Sequence, residues 1–165
     1  MISYSYIKRN VRSLNSRYAK SKSTQDASYY SKLAILELCG WIEISLDEAI
    51  LSAGNRVLKD SKSIKFLEDK IKRTYGFDYE NHFTSMIVSL IGISGFERLE
   101  NSIDESVLIN FKSELAILKD RRNSLAHTYT RGITTHYDAP SITIARLEKV
   151  SAGILAYDIA LKTIK

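Results

Sequence analysis

Two arginines, an asparagine and a histidine stand close together in KDRRNSLAHTYTRG, Lys119 to Gly132. These residue types can handle a phosphodiester. A guanidinium grips phosphate oxygens through a planar fork of donors, which lysine lacks. An imidazole, with a reference pKa near 6.5, takes up or gives up a proton around neutrality. Arg122 and His127 are five residues apart, with Asn123 directly after the arginine and Tyr129 two beyond the histidine. Spacing alone carries little weight: Arg131 and His136 repeat the same separation, with Gly132 where the first pair has Asn123. Context favours the first pair, which ends a helical pattern anchored by Leu118, Leu125 and Ala126. Two plainer roles compete. Basic residues complement the dipole at a helix C-terminus, and a histidine on a packed helix serves as a hydrogen-bonded structural residue.

The elements that must position these groups read as helices. The 165-residue chain has one proline and seven glycines, and it is 44% hydrophobic and 26% charged. That suits one folded domain over 1–165. A first helix is expected over about 3–19. A long one over about 26–53 carries a stripe of Ile35, Leu38, Ile42, Leu46 and Ala49, with Gly54 as its stop. A shorter helix over about 61–75 should bury Ile64, Leu67, Ile71 and Tyr75. Phe83, Met86, Ile87, Leu90 and Ile91 repeat at helical spacing until GISGF interrupts them. Ser102 with Glu105 reads as a capping box opening the helix that runs through Val107, Phe111, Leu115 and Leu118 to the arginines. TRGITTHYDAPS reads as a loop, Ser141 as the cap of a last helix that buries Leu147, Val150, Ile154, Tyr157 and Leu161. The expected fold is all-α: a four-helix-bundle core, about 26–163, with one or two additional helices.

Cys39, the single cysteine, excludes an intrachain disulfide and reads as a buried thiol in a reducing cytosol. One Cys and three scattered His build no zinc site. No apolar run is long enough to span a bilayer, and the N-terminus lacks a secretory pattern; the expected location is the cytoplasm, with no membrane partner. The net charge is +5, which favours a polyanionic partner. Residues 1–22 hold Lys8, Arg9, Arg12, Arg17, Lys20 and Lys22 and no acid. They form either a solvated basic face or an arm that touches phosphate. Trp41 reads as core or dimer interface, and His82 as a first-turn or surface residue.

RRNSLAHTYT resembles the signature of the HEPN superfamily (higher eukaryotes and prokaryotes nucleotide-binding), small helical bundles with Arg, a polar residue, a spacer and His near the end of a late helix. The helix holding LELCGWIEISLDEAI is similar to the family's first core helix, with Glu43, or in competition Asp47, at its acidic position. The resemblance covers roughly 26–160. It implies a metal-independent endoribonuclease of a toxin–antitoxin or phage-defence system, without cofactor. It also implies a homodimer, RNA as substrate and a cognate antitoxin. Tyr129 matches the tyrosine that a nucleotidyltransferase-like antitoxin modifies with AMP in one branch of the family. Other members have lost catalysis and only bind RNA, nucleotides or partners, which is the alternative here.

On an unbroken helix of about 100° per residue, Arg122 and His127 point about 140° apart. Either the helix distorts near Ser124 or two chains share the site, the solution the family resemblance implies. In such a cleft His127 would move protons between the 2′-oxygen and the leaving 5′-oxygen. Arg122 would hold the phosphate. Asn123 would orient a phosphate oxygen or the imidazole, and Lys119, Arg121 and Arg131 would steer the backbone in.

Overall fold

The computed structural model describes residues 3–127 and 137–164. Among them there are six α-helices, one short π-helix and no strand. The elements are α1 (Tyr4–Ala19), α2 (Thr24–Val57), α3 (Ser61–Lys72), the π-helix (Tyr79–Thr84), α4 (Ser85–Asn101), α5 (Glu105–His127) and α6 (Pro140–Lys162). The fold is all-α with a helical-bundle core, as the periodicity predicts. α2 and α6 pack together at the centre; α1 and α5 each lie against both, and α3 and α4 close the remaining side of α2.

Sequence chemistry sets most of the boundaries. The Ser23 hydroxyl accepts from the Asp26 N–H at 3.0 Å, so α2 starts at 24 rather than 26. The expected stop at Gly54 is not one. α2 runs on to Val57, and Gly54 is buried where Leu67 of α3 sits so close that a β-carbon would collide with it. Here glycine's missing side chain serves close packing instead of a left-handed cap. α3 ends at Lys72, three residues short of expectation, and leaves Tyr75 77% exposed instead of buried. Leu67 and Ile71 are buried as expected, while Ile64 is only half-buried.

GISGF bends its helix without ending it. Gly92 takes φ +70°, a left-handed conformation that costs glycine little, and α4 resumes to Asn101. The predicted capping box at Ser102 is absent: Ser102 closes α4, with its hydroxyl donating to the Leu99 carbonyl at 2.7 Å. Asp104 caps α5 instead, accepting from the Val107 N–H at 3.1 Å. Ser141 does not cap α6. Pro140 occupies its first turn, where a missing N–H costs nothing, and Ala139 precedes it without a side-chain cap.

The core is aromatic where the π-helix, α5 and α6 meet. Phe83 and Tyr157 stand edge to face, their centroids 4.8 Å apart, and Phe111 lies 5.6 Å from Tyr157. Tyr79 and Tyr157 share a hydrogen bond, and Tyr79 also donates to Glu100 of α4. Burial pushes the Tyr79 hydroxyl well above its ordinary value, and its bonds to Glu100 and Tyr157 push it further, so it remains a neutral donor. All five residues expected on the inner face of α6 are buried, as are Phe111, Leu115 and Leu118 of α5. Beyond Leu118, α5 changes character, and the polar cluster begins there.

Candidate functional site

α5 stays helical through His127. No break at Ser124 turns the backbone, so the approximately 140° between positions 122 and 127 stands. Leu125, buried, is the last residue that fastens this end to the core. Asn123 faces solvent, and the Arg122 side chain is 41% exposed. The side chain of His127 lies outside the described residues, as do Tyr129, Arg131 and His136.

Arg122 faces α2. Its Nη2 lies 4.0 Å from Oε2 of Glu43, at the limit of an ion pair. Glu43 is held from elsewhere: its Oε1 accepts the Gly76 N–H at 2.7 Å, in the turn between α3 and the π-helix. The sequence-predicted acid and arginine therefore do meet, through a loose contact that leaves the guanidinium donors largely open. Asp47, one turn further along α2, makes no such contact with Arg122. Burial, and then the Glu43 charge beside it, push its carboxyl up to about 6. Cys39 completes this side of α2. Its thiol lies 3.8 Å from the Leu118 carbonyl, and burial pushes it up to about 12 against the pull of Arg122. It is a packing residue and no nucleophile.

Of the other two described cations of the cluster, Lys119 is engaged and Arg121 is held only loosely, its side chain 46% exposed. Lys119 bonds Asp78 Oδ2 at 2.8 Å, and that bond, followed by the Asn81 N–H, holds the Asp78 carboxyl below the usual range. Asp78 also caps the π-helix through Asn81, at 2.7 Å. Lys119 thus ties α5 to the entry of α4. Arg121 lies 3.5 Å from Asp138, which is 3.8 Å from Arg146 of α6. Arg146 in turn bonds the buried Glu114 at 2.6 Å.

Asp78, Asp138 and Gly76 are the positions that sequence reasoning missed. Asp78 had a local signal, an aspartate three residues ahead of Asn81 at a helix start. Gly76 and Asp138 had none, because each acquires its partner through tertiary approach. His82 lies in the π-helix, and its Nδ1 accepts the Asp78 N–H at 3.3 Å. Trp41 is 8% exposed and meets Tyr4 of α1 edge-on at 6.3 Å. Among the described residues no three His, Cys, Asp or Glu side chains gather as metal ligands. Among them, no helix is long and apolar enough to cross a membrane.

Chemically, this end of α5 offers two partly open guanidinia, each beside a carboxylate, an exposed amide, and a histidine at the helix terminus. No family model, no curated protein and no solved structure matches the chain.

Proposed function

We propose that the chain is a metal-independent endoribonuclease of the kind its Arg–Asn–His run resembles, acting as a homodimer in a toxin–antitoxin or phage-defence setting. The observation that supports this reading most is the state of Arg122. Lys119 is bonded to a carboxylate at 2.8 Å, but Arg122 is held at 4.0 Å and, with the equally loose Arg121 at 3.5 Å from Asp138, keeps donors open toward solvent beside Asn123. A phosphate can take such a guanidinium bidentately.

The continuous helix supports the dimer. One regular helix does not aim residues 122 and 127 at a single phosphate, whereas a two-fold axis brings the arginine of one protomer toward the histidine of its partner. In that cleft the 2′-oxygen attacks phosphorus and the bond to the 5′-oxygen breaks. His127 accepts the 2′-hydroxyl proton, and a proton is delivered to the leaving 5′-oxygen. Arg122 stabilises the charge that gathers on the non-bridging oxygens. Asn123 orients the phosphate or the imidazole. The product ends are a 2′,3′-cyclic phosphate and a 5′-hydroxyl. Glu43 supports Arg122 from behind. Tyr129 is the position at which a nucleotidyltransferase-like antitoxin would attach AMP.

The test is cleavage of total RNA by the purified protein in excess EDTA. Wild type is expected to cut, and His127→Ala and Arg122→Ala to lose about 10²–10⁴-fold in rate with unchanged helicity by circular dichroism. A variant cutting at the wild-type rate refutes the site, and activity lost in EDTA refutes the metal-free mechanism. A wild type that binds RNA without cutting it marks the non-catalytic scaffold instead.

A further inference from the structure

Every described lysine and arginine of α5 and α6 lies within 4.0 Å of a carboxylate. On α1, Lys8, Arg9, Arg12 and Arg17 have no such partner among the described residues. The contrast follows from sequence, since no acid occurs in residues 1–22. It also follows from packing. Ile7 and Val11 turn into the bundle against α2 and α6, which fixes the opposite side of α1 toward water.

On an ideal helix Lys8, Arg9 and Arg12 fall within about 100° of arc, centred about 130° from that buried stripe. Together with Ser5 and Ser13 they line one shallow concavity. Two acids, Glu37 and Glu148, border the grooves on either flank of α1, beside Tyr6 and Tyr4 respectively. Next to the cations stands Tyr6, 60% exposed, with the Arg9 guanidinium over its ring at 5.0 Å from the centroid.

We infer that this face of α1 is a binding surface for the backbone of single-stranded RNA, separate from the Arg122 cluster. Unopposed cations in a row take up phosphates with release of counterions. An exposed ring beside a guanidinium is a platform on which an unpaired base stacks whatever its sequence. An anionic membrane fits less well. Surface-seeking helices need a free apolar face to insert, and the apolar face of α1 is spent inside the bundle. Naming RNA rather than DNA rests on the nuclease reading above.

The experiment is fluorescence anisotropy with a labelled 20-mer of 2′-O-methyluridine, a strand that the proposed chemistry cannot cut. For the wild type, log affinity should fall steeply with log salt. In the variant Lys8→Gln/Arg9→Gln/Arg12→Gln that slope should become shallower by about 2, since each single-strand phosphate contact contributes about 0.7. Arg12→Gln alone should shift it by about 0.7, which keeps the test available if the triple variant folds poorly. Tyr6→Ala should weaken binding about tenfold without changing the slope.

Unchanged affinity and slope in both charge variants overturn the inference. So does capture of the protein by phosphatidylserine vesicles when the oligonucleotide is not bound. The two readings fail separately. A protein whose α1 variants lose the methylated strand but which cuts no unmodified RNA retains the surface and loses the nuclease. One that cuts RNA with binding indifferent to α1 does the reverse.

Discussion

The two halves of α5 solve opposite problems on one continuous helix. Above Leu118 the helix is built to pack. Phe111 and Leu115 are fully buried, and Phe111 presses on α6 at Gly153, where a β-carbon would collide with its ring. Even the carboxylate of Glu114 is buried and neutralised by Arg146 and Lys149. Below Leu118 only Leu125 is buried among the described residues, and two half-exposed guanidinia, Arg121 and Arg122, stand among the polar groups. The difference shows how a small bundle keeps a polar end in place: the packed half carries the stability, so the other half is free to present side chains that add little to it.

That comparison breaks if the upper half proves dispensable. Phe111→Ala should cost about 3–5 kcal/mol in urea denaturation, because it empties the ring cluster around Phe83 and Tyr157. Arg122→Ala, eleven residues along the same helix, should change the midpoint little, since a half-exposed pair at 4.0 Å contributes under about 1 kcal/mol. Equal losses would refute the division.

Glu114→Ala sharpens it by leaving Arg146 without its buried partner, at a cost of about 3 kcal/mol. The effect should depend on pH in a definite direction. Burial raises the Glu114 carboxyl, but bonds from Lys149 and Arg146 outweigh it and hold the group below its ordinary 4.5. Its contribution is therefore full above that value and fades as pH falls through the lower, folded one. A wild type and a Glu114→Gln variant with parallel acid-denaturation curves would contradict this.

The smallest effect expected is at Asp47. Its carboxyl titrates near 6 in the fold against 3.8 unfolded, so the folded state holds the proton more tightly. Stability falls as pH rises between those values, and the ionised group remains a liability at neutrality. Asp47→Asn should raise the melting temperature at pH 7 by about 2–4 °C, after discounting for partial exposure. The gain should vanish below pH 4. A variant less stable than wild type at pH 7 would show that the charge is needed where it stands.

Most of the bundle was legible because its helices bury one-sided stripes. Leu147, Val150, Ile154, Tyr157 and Leu161 recur at helical spacing and are all buried. Local signals misled where tertiary contact decides. Gly54 reads as a stop but makes room for Leu67; Ser102 reads as a start but closes the preceding helix, because Asp104 reaches the Val107 N–H. Tyr75 reads as core, but α3 has ended before it. For the candidate site, Glu43 enters the sequence reading only as the acidic position that the resemblance implies, with Asp47 as its competitor; its approach to Arg122 comes from the packing of α5 on α2. The engagement of Lys119 by Asp78, 41 residues away, was not anticipated, since no short-range pattern encodes which carboxylate a lysine will meet.

The bond from the Gly76 amide to Glu43 gives that carboxylate a second employer. Trimming it to alanine would loosen the turn between α3 and the π-helix together with the arginine, so a loss of the proposed nuclease activity would reveal nothing about which contact mattered. Glutamine retains a carbonyl oxygen for the amide and erases only the charge. Of the two replacements, it is the one whose phenotype can be read.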